Sequence, residues 1–228
     1  SFQIKQEWND ISNAPGDNGI HVKRIELKSN EELDSSHQLT TETPLKVEYH
    51  ILNAKLDSNH IYALTSDSGL YVYNYDGNLS NVFNRAHDFP TNDINDFILD
   101  NDTIWLATDN GLFKVYNDTF KQYNISNGLK SDMINSIIKD SNNVIWIGTG
   151  NGVCKYSDGI FTDYSKAKGF CNPFISSITE DRFGNIWFGT DRCAVKYNGI
   201  DFTAITTDDG LASGVVYFIH GDKKGNIW

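Results

Sequence analysis

From Ile51 onward, apolar and polar residues alternate in short runs, each bounded by Asp, Asn, Gly or Ser. Runs of this kind, rich in Ile, Val, Tyr, Phe and Trp, predict half-buried β-strands separated by tight turns. No stretch carries the 3.6-residue period of an amphipathic helix. The runs come in sets of four. An apolar segment closes on aspartate: Ile51 to Asp57, Ile94 to Asp100, Ile134 to Asp140, Ile175 to Asp181, Val216 to Asp222. After a polar turn comes a second strand, Ile104-Trp105-Leu106-Ala107-Thr108, Ile145-Trp146-Ile147-Gly148-Thr149 or Ile186-Trp187-Phe188-Gly189-Thr190. A glycine turn then opens a third strand (Gly69 to Tyr73, Gly111 to Tyr116, Gly152 to Tyr156), and a short fourth follows (Phe120 to Tyr123, Phe161 to Tyr164, Phe202 to Ile205).

The sets form an internal repeat. Trp105, Trp146, Trp187 and Trp228 stand 41 residues apart, with a weaker copy at Ile61-Tyr62-Ala63-Leu64-Thr65. Four antiparallel strands in about 41 residues is the size of one propeller blade. The fold class expected is therefore all-β, a β-propeller of four-stranded antiparallel blades, incomplete in this chain. Blades are expected at about 46–86, 87–127, 128–168 and 169–209, with a truncated one at 210–228. Neighbouring blades need a large flat side chain between their faces, so the four tryptophans are expected to be structural, filling the seams. In the fourth blade Cys193 replaces the glycine that opens the third strand, and that turn is expected to be reshaped, because a left-handed backbone is costly for cysteine. Residues 1–45 lie outside the repeat. They hold a turn-rich stretch (Asn13 to Gly19), a strand (Ile20 to Leu27) and a polar link (Lys28 to Thr43), and could belong to a closing blade.

Charge and motifs narrow the function. The formal charge of −11 repels phosphate backbones and anionic lipid headgroups, so neither nucleic acid nor direct membrane contact is expected. No apolar run reaches the 18 residues of a membrane span. The chain starts at Ser1 and its one methionine is Met133, so it reads as a piece of a longer protein, with the remaining blades or self-association completing it. Cys154, Cys171 and Cys193 form no CxxC and are expected to be small, partly buried side chains. Of His21, His37, His50, His60, His87 and His220, none stands at metal-ligand spacing with another. Nucleophile-elbow, phosphate-loop and dinucleotide motifs are absent, and turns such as Asp140-Ser141-Asn142-Asn143 lack the spaced carboxylates of a calcium loop. Neither metal nor cofactor is expected.

In a four-stranded blade, the connector to the next blade and the turn between the second and third strands lie on one face. The connectors fall at about 84–92, 125–132, 166–174 and 207–214, the turns at about 66–69, 109–111, 150–152 and 191–193. The connectors offer Arg85, His87, Lys130, Lys168, Phe170 and Asp208, and the turns offer Asp109, Asn110, Asn151 and Arg192, as a shallow polar cup suited to a sugar or peptide.

The units read close to D-G-L-x-S-x-x-V/I-x-S-I-x-x-D-x-x-G-N-I-W-I-G-T-x-x-G-L. Gly128-Leu129-Lys130-Ser131 through Gly152 is one copy, and Asp209-Gly210-Leu211-Ala212-Ser213 through Trp228 another. Over about residues 46–228 the chain resembles the two-component regulator propeller repeat family. The resemblance implies the extracytoplasmic part of a hybrid sensor kinase, or a stand-alone relative, in the periplasm or outside a bacterial cell, sensing oligosaccharides without catalysis. An alternative is a scaffold binding a protein partner. A propeller lyase or hydrolase ranks below both, with His87 as the one loop-face histidine to serve it.

Overall fold

The computed structural model describes residues 2–8, 22–29, 51–117 and 119–228. The stretch 13–19, most of the link 28–43, and His21, His37 and His50 lie outside the described residues. The chain divides into two compact units, Ser1–Asn92 and Asp93–Trp228.

In the first unit, β1 (Phe2–Trp8) pairs antiparallel with β2 (Val22–Ser29). The repeat pattern gave no hint of β1, and β2 begins two residues later than expected. A four-stranded meander follows: β3 (Ile51–Leu56), β4 (His60–Thr65), β5 (Leu70–Asn74) and β6 (Leu79–Phe83).

The second unit holds three more such sheets. They are β7 (Ile94–Asp100) to β10 (Thr119–Tyr123), β11 (Ile134–Lys139) to β14 (Ile160–Asp163), and β15 (Ile175–Glu180) to β18 (Phe202–Ile205). The intermediate strands are β8 (Thr103–Thr108) and β9 (Gly111–Tyr116), β12 (Ile145–Thr149) and β13 (Gly152–Ser157), and β16 (Ile186–Thr190) and β17 (Ala194–Tyr197). All neighbours are antiparallel. The expected fifth inner strand, Val216 to Asp222, is not a regular strand. It makes one bridge, Gly221 to Ile227, and two of its N–H groups go to hydroxyls of β15, Ile219 to Ser177 and Gly221 to Thr179.

Tryptophan packs the seams of the second unit. Trp105 is 1% exposed and its ring meets Tyr156 of the next blade edge-on at 5.1 Å. Trp146, 2% exposed, meets Phe188 at 5.8 Å and Tyr197 at 5.4 Å, both from the following blade. Trp187 is half-buried, and Trp228 is 74% exposed.

The aspartate six residues before Trp146 and Trp187 latches its blade. Asp181 Oδ1 accepts the N–H groups of Phe183 and Asn185, and Oδ2 accepts the Trp187 indole N–H at 2.9 Å. Asp140 repeats the arrangement with Trp146 at 2.8 Å. In the second blade the first turn is one residue shorter. Asp100 pairs with Lys139 instead, and the buried Trp105 Nε1 has no hydrogen-bond partner.

The Asp181 latch makes the fold acid-sensitive. Burial pushes the Asp181 carboxyl up, but hydrogen bonds from Trp187 and Asn185 outweigh it and hold the group below the usual carboxylate range. A carboxylate whose folded value lies below its unfolded value of about 3.9 contributes stability above that pH, lost as pH falls through the folded value. The urea midpoint should hold from pH 7 to about 5 and fall below about 4, and Asp181→Asn should lessen that fall. A midpoint that rises on acidification would contradict the latch.

A candidate ligand-binding loop face

Each second strand ends in a buried threonine that shapes the turn beyond it. Thr65, Thr108 and Thr149 donate from Oγ1 to the carbonyls of Gly69, Gly111 and Gly152 at 2.7–2.8 Å. The three glycines sit at φ 94°, 104° and 127°, open only to a residue without Cβ. In the fourth blade Thr190 donates to the Cys193 carbonyl, and the Cys193 N–H donates back to Thr190 Oγ1 at 3.1 Å. Cys193 has no positive φ, so the turn is reshaped as expected.

The connectors are built to a second template. A 3₁₀ turn spans Ile125–Asn127 and another Thr207–Asp209, each closed by a reciprocal side-chain cap, Asn124 with Asn127 and Thr206 with Asp209. Gly128 and Gly210 then take left-handed backbone, and Leu129 plugs the core at 2% exposure. Turns and connectors share one edge of the unit, because Asp109 N–H donates to the Asp93 carbonyl, Gly111 N–H to Asp132 and Gly150 N–H to Met133.

Several candidate residues lie on these turns and connectors. Asp109 Oδ1 accepts from Asn95 Nδ2 at 2.7 Å, and the Asn110 carbonyl accepts from Gln122 at 2.6 Å. Lys130 Nζ lies 2.9 Å from Asp163, which raises the lysine's affinity for its proton. Asn151, Lys168, Arg192 and Asp208 are exposed, with Asn151 and Arg192 N–H groups held by Thr149 and Thr190.

Others depart from expectation. Phe170 turns toward the core: its half-buried ring packs 4.9 Å from Phe202 and 5.6 Å from Phe188, as the fourth blade's counterpart of the Leu129 plug. Arg85 and His87 belong to the first unit, on the 3₁₀ turn Arg85–His87. His87 Nδ1 sits 2.7 Å from the Asn84 amide oxygen, an amide standing where catalysis would call for an acid or base. Cys171 and Cys193, expected as separate small side chains, form a disulfide. Among the described residues no cluster of three His, Cys, Asp or Glu could hold a metal, and no helix is long and apolar enough to cross a membrane.

Sequence reasoning missed the inner edge. Every first strand carries a β-bulge just after its leading isoleucine, between Ile94 and Asp96, Ile134 and Ser136, and Ile175 and Ser177 in the second unit. A bulge leaves one residue unpaired and re-aims its side chain. Asn95 accordingly donates to the Ile134 carbonyl at 2.9 Å, Asn135 to Ile175 at 2.7 Å and Ser176 to Val216, each reaching the next blade. The following residues accept in turn: Asp96 from Ile137 N–H and Ser136 from Ile178 N–H. The signal was present as Ile-Asn-Asp, Ile-Asn-Ser and Ile-Ser-Ser, polar pairs interrupting apolar strands at one repeat position.

Residues 128–151 and 169–192 match the family model described as two component regulator propeller. Among solved structures, the chain is similar to the extracellular domain assigned to the hybrid two component system BT3049 from B. thetaiotaomicron, with 20% identity and a TM-score of 0.72, covering 92% of this chain and 30% of that one. It is also similar to virginiamycin B lyase from Staphylococcus aureus (16% identity, TM-score 0.59, 77% and 61% covered). A third likeness is to PorZ, a surface component of the type-IX secretion system of Porphyromonas gingivalis (14% identity, TM-score 0.57, 78% and 31% covered). These likenesses show the fold, a β-propeller of four-stranded blades. No curated protein matches the chain.

Proposed function

Starting from a chain that carries two-component regulator propeller repeats, we propose a non-catalytic sensing module that works outside the cytoplasm and takes an oligosaccharide or similar polar ligand on its loop face. The observation that carries it is the gathering of Asp109, Asn110, Lys130, Asn151 and Arg192 on turns and connectors whose backbones are pinned by buried threonines and side-chain caps. Polar groups of both signs on a rigid frame suit a hydroxyl-rich ligand, which needs donors and acceptors already in place. The disulfide supports an oxidising compartment, since such bonds persist there and are rare in the cytosol.

A thermal-shift panel of oligosaccharides tests this. Ligand at about a hundred times its Kd should stabilise the fold by about 2.7 kcal/mol, with one glycan class responding and Arg192→Ala or Asp109→Ala abolishing the response. A flat panel, with a protein partner recovered on the same face, would replace sensing by a scaffold role. Turnover of a glycan, halted by His87→Ala, would overturn the non-catalytic reading.

A further inference from the structure

We infer that Cys171 and Cys193 are a redox lock on the loop face, closed by thiol–disulfide exchange with a disulfide-donating oxidoreductase that engages Cys171. The lock joins the two loop sets assigned above to ligand binding, so its regulatory meaning rests on that reading, while its existence does not.

The disulfide ties the connector 164–174 to the β16–β17 turn, across 22 residues and a Cα–Cα distance of 6.3 Å. No other blade of the second unit needs such a bond. At the connector position of Cys171 the third blade has Lys130, held to Asp163 by an ion pair, and at the turn position of Cys193 the other blades have glycine. The bond also coincides with a weakened template. Among the described connectors, 164–174 is the one without a 3₁₀ turn; inside it, backbone bonds run from Ala167 N–H to Tyr164 and from Phe170 N–H to Ala167. The covalent bond thus anchors the one connector that lacks the reciprocal caps that Asn124–Asn127 and Thr206–Asp209 give its neighbours.

The two sulfurs differ in access. Cys193 is fully buried and oriented by its paired bonds with Thr190, whereas Cys171 is half-buried on the irregular connector. The third cysteine, Cys154, is buried, and burial pushes its thiol up to about 11, which leaves it inert as a competitor. In the exchange, the Cys171 thiolate attacks a donor disulfide and expels one donor thiolate. The Cys193 thiolate then attacks the Cys171 sulfur of that mixed disulfide and expels the second. Two cysteine thiols lose two electrons and two protons, and the donor disulfide becomes two thiols.

Three measurements test the lock on the full chain. Alkylation in denaturant before reduction, read by mass spectrometry, should label Cys154 alone and recover residues 169–182 linked to 193–196 after trypsin. Native trypsin cleavage after Lys166 and Lys168 should accelerate on the order of tenfold with a phosphine reductant, with cleavage after Lys121 unchanged, because only the connector is released. Incubated with glutathione disulfide, Cys193→Ser should carry glutathione on Cys171, whereas Cys171→Ser should remain unmodified. Cys193→Gly, which restores the residue of the other blades, guards against a folding defect and should match the reduced wild type in cleavage. Three free thiols after isolation, equal cleavage with and without reductant, or glutathione captured by Cys193 would each overturn the lock. None of these readouts involves a glycan, so failure of the ligand panel leaves them interpretable.

Discussion

Trp146→Ala is expected to destabilise the second unit by about 3–5 kcal/mol, the usual range for emptying a buried aromatic site. The ring is buried between the third and fourth blades and touches Phe188 and Tyr197, so its loss leaves a hole that two rigid sheets cannot close. A second penalty follows. Asp140 is itself buried and loses the indole donor on Oδ2. Phenylalanine separates the two effects. At Trp146 it keeps much of the ring but leaves Asp140 Oδ2 without its donor, while at Trp105 it removes an N–H that already lacks a partner. Trp146→Phe should therefore cost about 1–3 kcal/mol more than Trp105→Phe, the worth of a buried acceptor left unsatisfied. Urea denaturation followed by fluorescence and far-UV circular dichroism measures both. Equal losses at the two positions would mean that Asp140 contributes nothing through its indole bond.

That contrast was legible in the residue count, since five residues rather than six separate Asp100 from Trp105. The blade architecture was legible for the same reason, because a sheet meander imposes one side-chain role per repeat position. Phe170 shows the limit of reading loops by residue type. Aligned with Phe89, Leu129 and Leu211 it falls in the apolar position after the connector turn, yet an aromatic on a loop suggested a ligand platform. The disulfide was out of reach because Cys171 and Cys193 meet only when the connector folds back onto the turn of its own blade. The staples of Asn95, Asn135 and Ser176 depend on bulges, which sequence alternation does not reveal in strands this short. β1 was missed because it belongs to no repeat.

Gly169→Ala tests whether the connector that bears Cys171 is seated as tightly as the lock requires. Gly169 has φ 109°, and a Cβ there would fall 2.1 Å from the Phe202 carbonyl oxygen and 2.7 Å from its carbon. Those atoms are backbone of β18, fixed by pairing with β17, so no side chain can move aside. Left-handed backbone costs a non-glycine residue about 1–2 kcal/mol, and forced overlap in a packed site about 1–3 more. The sum, about 2–5 kcal/mol, should appear as a lowered urea midpoint together with faster tryptic cleavage after Lys166 and Lys168. Gly159→Ala is the control, because its φ of 83° is equally left-handed but nothing lies within 4 Å of the added Cβ. It should lose about 1–2 kcal/mol and leave connector cleavage unchanged. If the two alanines cost the same, the strain is one of backbone alone and the connector does not rest on β18. If Gly169→Ala costs far more only in oxidised protein, the disulfide is what presses the connector against the sheet, and reduction would give the loop face its freedom to rearrange.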